Sequence, residues 1–334
     1  MYEIITTPDF NKVIAIIENA HARALKAVNA ELITMYWDVG EYLFNLCASS
    51  TFGEKIINEI AVFISENNPS IKGFSRRGLY RMKQFYETYK DDKFVSPLVT
   101  QISWSNHLLI MSKSKSPEER RFYMKLCIRE HYSKRELERQ LDSSYFERYV
   151  LSSGKQPPEL VTKEVRDSIL DTYVLEFLDL PEHYSERNFR KAIIQNLKNF
   201  LLEVGRDFSY IGEEYRLQVG THDYYVDLLF YCRGLSCLVA FELKISEFKP
   251  EYISKMNFYL EALDREHKKE NENPSVGVIL CAAKDDEVVE FALSRSLSPT
   301  LVSEYTLHLP DKKLLQNKLR ELAGLAIENG LSNV

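Results

Sequence analysis

The sequence has no apolar run near the roughly 18 residues that a membrane-spanning helix needs, and its first residues lack the apolar core of a secretion signal. No membrane association is expected, and cytoplasmic residence is the default. Cysteine is scarce: Cys47, Cys127, Cys232, Cys237 and Cys281 are odd in number and scattered, without metal-ligand spacing. A disulfide framework and a zinc cluster are thereby excluded, and the five read as small buried hydrophobes in a reducing compartment. Excess positive charge is also missing. The net charge of −6 argues against indiscriminate coating of nucleic acid, but the charge is unevenly spread. Residues 1–150 carry 21 Lys+Arg against 19 Asp+Glu, the remainder 22 against 30, and residues 51–150 carry 18 against 13. The N-terminal half is the expected phosphate-facing part.

What is present is an ordinary globular composition. With 334 residues, 45% hydrophobic and 28% charged, the chain has material for about two domains, each with its own core. Residues 1–150 read as helical throughout. Apolar residues recur at helical spacing from Phe10 to Leu46, including Val13, Ile16, Ile17, Leu32, Met35 and Tyr36, with Tyr36 and Trp37 as core anchors. A helix over Glu54–Glu66 stops at Asn67-Asn68-Pro69. After it, Gly73 permits a turn, Ser75 caps, and Arg76, Arg77, Arg81 and Lys83 decorate the next helix. Helix, short turn and basic helix outline a helix-turn-helix, with an ordinary helical hairpin bearing a solvated basic face as the equal alternative. His107 reads as a packed or hydrogen-bonding side chain. Ser116-Pro117 opens a helix, and Ser133 with Glu136 forms a capping box for another over Lys134–Tyr149.

Small residues, Gly and Pro gather between Leu151 and Pro158, so residues 151–166 are expected to be a linker and 167–334 a second domain. There the pattern changes class. Asp167–Phe177 is expected to be a short helix or docking segment, and Ser185–Leu202 one amphipathic helix stopped by Gly205. Strands are expected at Phe208–Ile211, Tyr215–Val219, Tyr225–Cys232, Ser236–Lys244, Val276–Cys281 and Leu301–Leu307. Helices are expected over Pro250–Lys268, Asp285–Leu293 and Leu314–Ile327. This order implies a mixed sheet flanked by helices.

Three charges interrupt the strands. Asp227 lies within one, and Glu242 and Lys244 lie two apart on the next, so the last two share a face. Two carboxylates and a lysine on adjacent strands can hold a divalent cation and steer a water, Mg²⁺ being suited to hard oxygen ligands. The plainer alternative is an ion pair at a sheet edge.

These residues carry a resemblance. Asp227-Leu228-Leu229-Phe230-Tyr231, Glu242-Leu243-Lys244, Phe248-Lys249-Pro250-Glu251-Tyr252 and Met256-Asn257-Phe258-Tyr259-Leu260 resemble the PD-(D/E)XK nuclease core, the restriction-endonuclease-like fold. With Tyr36-Trp37, Gly73-Phe74-Ser75 and Ile102-Ser103-Trp104-Ser105 they are similar to the YhcG-like family, in which an all-α N-terminal domain precedes such a nuclease domain. The resemblance implies an Mg²⁺-dependent endodeoxyribonuclease, with Mn²⁺ as an alternative ion. Asp227, Glu242 and the carbonyl of Leu243 would hold the metal, and Lys244 would complete the catalytic set. It further implies DNA as partner, with branched, recombination or foreign DNA as candidate substrates, and a homodimer for cutting a duplex. A nuclease-fold protein that binds nucleic acid or a protein without cutting is the alternative. Two positions depart from the family pattern. Arg190 stands where a glutamate is frequent on the first helix of the nuclease domain, leaving Glu186 or Glu203 as a possible third carboxylate. Lys255 stands where a glutamine is frequent and becomes a candidate phosphate contact.

Overall fold

Capping residues set the helix boundaries in the N-terminal half much as the sequence predicts. In the computed structural model, which describes residues 10–49, 53–92, 96–153, 162–294, 296 and 298–319, the helices begin with α1 (Phe10–Ala48), α2 (Gly53–Asn67) and α3 (Arg76–Tyr89). They continue with α4 (Ser96–Val99), α5 (Trp104–Lys113), α6 (Pro117–Glu130), α7 (Lys134–Asp142) and α8 (Tyr145–Ser153). Ser75 Oγ accepts from Gly78 N–H at 3.3 Å, and Ser116 Oγ from Glu119 N–H at 3.1 Å. The Ser133–Glu136 capping box closes from both sides, with Ser133 N–H donating to Glu136 at 2.8 Å. The helix expected over Lys134–Tyr149 is two helices, because Ser144 takes a left-handed φ of 53° between α7 and α8.

The chain divides into two compact units, residues 1–138 and 139–334, the division falling within α7. Residues 154–161 of the expected linker lie outside the described residues.

In the N-terminal unit, α1 is a single helix of 39 residues. Its second half packs through Leu43 against Ile57, Leu79 and Met82 of α2 and α3. Gly40 makes this possible: a Cβ there would lie 2.2 Å from the carbonyl oxygen of Met82. Trp37 meets Phe85 and Tyr86 edge-on at 5.7 and 4.9 Å, and Tyr36 meets Trp104 at 4.5 Å, so both expected anchors are packed. His107 is fully buried and donates from Nε2 to Val99 O at 2.8 Å. The part of α1 before Ile33 departs from expectation. Val13, Ile16, Ile17 and Leu32, read as helix core, are exposed.

In the C-terminal unit the helices α9 (Lys163–Ser168), α10 (Glu186–Gln195), α11 (Leu197–Val204), α12 (Glu251–Glu266) and α13 (Asp286–Leu293) flank one six-stranded sheet. Its strands are β1 (Thr172–Val174), β2 (Phe208–Val219), β3 (His222–Cys232), β4 (Cys237–Leu243), β5 (Val276–Cys281) and β6 (Thr300–Thr306), in the order β1-β6-β5-β4-β3-β2. The β2, β3 and β4 pairs are antiparallel; β4, β5, β6 and β1 are parallel. Three expectations are corrected. The segment Asp167–Phe177 contains the edge strand β1. The helix Ser185–Leu202 is two helices broken at Asn196. The two short strands before Val219 are one strand with an irregularity between Tyr210 and Gly212. Residues 312–319 are helical, and the rest of the helix expected over Leu314–Ile327 lies outside the described residues.

Side chains alternate across the sheet, so each strand feeds two cores. Leu229, Leu238, Ala240 and Ile279 pack against Ile253, Met256, Leu260 and Leu263 of α12. On the opposite face Phe230 and Phe241 meet Phe200 of α11 at 5.9 and 6.0 Å, and Tyr305 stacks on Phe189 of α10 at 4.5 Å. The edge strand β1 is held by a buried carboxylate. Glu203, fully buried on α11, accepts from Val174 N–H at 2.8 Å and pairs with Arg139 and Arg148 at 2.8 and 2.6 Å. The two arginines also donate to the carbonyls of Val174 and Thr172.

Candidate active site

Strands β3 and β4 pair from Cys232–Cys237 to Leu228–Phe241, and there the ladder ends while β3 continues alongside β2 to His222. Asp227 and Glu242 stand one residue beyond the last pair, at one level and on one face. The fork frees the N–H of Leu243, and an unpaired backbone donor at a buried position is costly. Asp227 supplies the acceptor: its Oδ2 takes the Leu243 N–H at 2.9 Å. Lys244 N–H donates to Leu280 O at 2.8 Å, which keeps β4 on β5 past the fork. A carboxylate is therefore built into the backbone at the point where the strands separate.

Glu242 is 1% exposed. Its Oε1 receives Lys244 Nζ at 2.9 Å and Lys255 Nζ, from α12, at 2.5 Å. Its Oε2 is buried and has no hydrogen-bond partner among the described residues. Burial alone would lower the pKa of Lys244, but the hydrogen bond and charge of Glu242, with Glu186 beyond, outweigh it and hold the ammonium above its ordinary range. Lys255 is likewise raised, its desolvation outweighed by Glu242. Tyr252 and Tyr259 present ring faces to Lys244 and Lys255, each at 5.3 Å.

Helix α10 completes the cluster. Ser185 caps it, Glu186 in its first turn contacts Lys244 at 3.3 Å, and Arg190 one turn on reaches Asp227 Oδ1 at 2.9 Å. The same guanidinium pairs with Glu214 of β2 at 2.7 Å. Arg190 thus stands against the carboxylate that a glutamate at its position would have accompanied.

The sequence-predicted residues Asp227, Glu242, Leu243 and Lys244 come together here, with Lys255 and Glu186 adjoining. Lys255 contacts a carboxylate in this arrangement, where the sequence suggested a phosphate. Glu203, the other candidate third carboxylate, is placed elsewhere, with both oxygens engaged by Arg139, Arg148 and Val174 N–H. Arg76, Arg77, Arg81 and Lys83 lie on α3 of the N-terminal unit. Arg76 and Arg77 are exposed, while Lys83 pairs with Glu87 at 3.5 Å and is one-quarter exposed. Sequence reasoning missed Glu213, Glu214, Tyr252 and Tyr259 as neighbours of the site. The FKPEY segment and the helical interval of four from Lys255 to Tyr259 carried the signal for the two tyrosines.

Among the described residues, no group of three or more His, Cys, Asp and Glu is arranged to hold a metal ion. The donors still fit one hard cation that keeps most of its waters. The buried, unpartnered Oε2 of Glu242 is an open oxygen ligand, and Asp227 lies across the fork. Mg²⁺ needs only one or two protein carboxylates.

Two family descriptions match adjoining parts of the chain: the DUF1016 N-terminal domain over residues 12–148 and the YhcG PDDEXK nuclease domain over residues 166–320. YhcG of Escherichia coli (strain K12), whose name assigns it provisionally to the nucleases, is 29% identical over 92% of both chains. Among solved structures, a repair endonuclease from Pyrococcus abyssi matches 39% of this chain at 16% identity and a TM-score of 0.27. EndoMS in complex with double-stranded DNA matches 40% at 17% identity and a TM-score of 0.28. The matched parts span 50% and 48% of those two proteins.

Proposed function

Because the chain belongs to the YhcG-like family of the PD-(D/E)XK nuclease superfamily, we propose that it is a metal-dependent endonuclease that hydrolyses DNA phosphodiester bonds. The observation that carries this reading is Glu242, a buried carboxylate with one free oxygen, set between Asp227 and Lys244 where two strands fork. Asp227, Glu242 and the carbonyl of Leu243 would hold Mg²⁺, with Mn²⁺ as an alternative. What the ion supplies when bound is polarisation of a phosphodiester oxygen and a lowered pKa for bound water.

The chain's own groups do the rest. Lys244 stays protonated, pinned between Glu242 and Glu186, and offers a fixed positive charge to the negative charge that develops on the phosphorus oxygens. Lys255, 46% exposed at its side chain, can turn from Glu242 to a phosphate. Arg190 holds Asp227 in position against Leu243 N–H. Arg76 and Arg77, exposed at the start of α3, are the proposed DNA contacts of the N-terminal unit, and branched, recombination or foreign DNA is the proposed substrate. One such site cuts one strand, so duplex cleavage calls for a homodimer.

A second reading, binding without cutting, is favoured by one observation: Arg190 and Lys255 already neutralise the two carboxylates. Incubating linear, circular and branched DNA with the full chain, with and without Mg²⁺ or Mn²⁺, separates the two. Metal-dependent cleavage that is lost in Asp227→Ala and Lys244→Ala supports the nuclease reading. Binding without cleavage by the wild type supports the second, and cleavage undiminished in both variants refutes the site.

A further inference from the structure

Strand β2 carries two consecutive glutamates that reach one arginine. Successive side chains of a regular strand point to opposite faces, yet Arg190 of α10 contacts Glu214 at 2.7 Å and has Glu213 at 4.0 Å. A strained backbone brings both to one side. Glu214 has a φ of 43°, in the left-handed region that residues other than glycine rarely adopt, least of all within a strand. The pairs Glu213–Leu228 and Tyr215–Val226 flank it, so Glu214 stands level with Asp227 on the neighbouring strand. Two carboxylates directly opposite one another repel. Arg190 bridges them, reaching Asp227 Oδ1 at 2.9 Å.

The bridge is incomplete at one atom. Arg190 Nε is buried and has no hydrogen-bond partner among the described residues, and a buried donor without an acceptor is costly. Glu213 Oε2 faces it, about 1 Å beyond the usual reach of a hydrogen bond. The guanidinium therefore has two arrangements within reach. In one, which the structure shows, it holds Asp227 and Glu214 with Nε unmet; in the other it holds Glu214 and Glu213 with Asp227 released. At 42% exposure the Glu213 side chain has room to close on it.

We infer that Arg190 moves from Asp227 to Glu213, pivoting on Glu214, and that this move gives Asp227 to the metal ion. The inference rests on the metal-dependent reading above, and it adds Glu213 and Glu214 as positioning residues that act through Arg190. A guanidinium cannot shed its charge by deprotonation, so a cation arriving at Asp227 requires a second acceptor for Arg190. The strained glutamate pair supplies it.

The test is a pair of double-mutant cycles on the full chain. In the first, Mn²⁺ binding is measured by calorimetry without DNA. Glu213→Gln is expected to weaken it about five-fold in the wild-type background, and to leave it unchanged in an Arg190→Gln background that itself binds the ion more tightly than the wild type. A through-space effect of the lost charge would persist without Arg190. Equal weakening in both backgrounds, or weakening in neither, therefore overturns the inference. The second cycle uses no metal. In Asp227→Asn the amide oxygen can keep the Leu243 N–H, which turns the NH₂ group toward Arg190 and drives the guanidinium to Glu213. Glu213→Gln is then expected to lower the urea midpoint of the Asp227→Asn protein and to leave that of the wild type in place, and equal changes in both overturn the inference. A wild type that binds no Mn²⁺ refutes the metal-dependent reading and the metal half of the inference with it, while the stability cycle still decides whether Arg190 moves.

Discussion

Replacing Glu203 by Gln tests whether this carboxylate holds the fold together or serves the chemistry. Its oxygens receive Arg148 at 2.6 Å, Arg139 at 2.8 Å and Val174 N–H at 2.8 Å, with the residue fully buried. The amide oxygen of Gln can still accept the Val174 N–H, so the perturbation is chiefly electrostatic. Arg139 keeps Glu176 at 3.1 Å, whereas the remaining acceptors of Arg148, which is 3% exposed, are the neutral oxygens of Ser143 and Thr172. Leaving one buried charge uncompensated costs about 3–5 kcal/mol, a large fraction of the roughly 5–15 kcal/mol that holds a domain together. Trp37 and Trp104 are the only tryptophans and both lie in the N-terminal unit. Tryptophan fluorescence therefore follows that unit, and loss of strand signal in circular dichroism follows the other. Glu203→Gln is expected to lower the urea midpoint of the strand signal and leave the fluorescence midpoint in place. Burial pushes the Glu203 pKa up, but Arg148 and Arg139 outweigh it and hold the carboxylate below its ordinary value of 4.5. Its stabilisation is thus present above that pH and lost as pH falls below it, and the gap between wild type and variant should narrow there. A variant within about 1 kcal/mol of wild type, or one of normal stability that has lost metal-dependent cleavage, would refute the structural assignment.

Three further outcomes are expected. Lys255→Gln removes one of two cations from Glu242. Because the lysine is about half exposed, the effect is set at about 1 kcal/mol, or roughly five-fold tighter Mg²⁺ binding by calorimetry without DNA, and unchanged or weaker binding would count against the competition. Arg76→Ala with Arg77→Ala is expected to weaken DNA binding and reduce the slope of log K against log salt by about 2, the slope being measured between low and physiological salt. Burial lowers the pKa of His107 from 6.5 to about 4 despite its bond to Val99 O. This histidine is neutral in the folded state, so its contribution is complete above pH 6.5 and about 3 kcal/mol is lost as pH falls to 4. The tryptophan-reported midpoint should fall across that window, and less steeply in His107→Gln.

Local chemistry was legible in the sequence. Caps at Ser75, Ser116 and Ser133 depend only on neighbours within one turn, and they form as read. The convergence of Asp227, Glu242 and Lys244 was legible because a tight hairpin and a period of two fix which residues share a level and a face. Features decided by distant partners were not. Strand β1 has three residues and owes its order to β6 and to Glu203, which is 29 residues from Val174. The breaks at Ser144 and Asn196 interrupt apolar patterns that read through them. Apolar residues at helical spacing in α1 have the same periodicity whether or not a core covers them, so the exposure of Val13 and Ile17 could not be read from spacing.

The contact between Arg190 and Asp227 belongs to the same class, since it depends on where α10 lies, and it bears on how the site is poised. A carboxylate at position 190 would add a third negative charge to two that burial already disfavours, and would need a cation to fold against. Arginine reverses this balance. With Arg190 on Asp227 and with Lys244 and Lys255 on Glu242, both acids are compensated by the chain itself. In the proposed nuclease these internal cations would compete with the metal for the same carboxylates. The free oxygen of Glu242 and the half-exposed Lys255 mark where an incoming metal and phosphate would exchange places with the internal cation. For the nuclease proposed above, DNA and metal are expected to bind with positive cooperativity, because a phosphate that draws Lys255 away from Glu242 would expose a ligand to the metal.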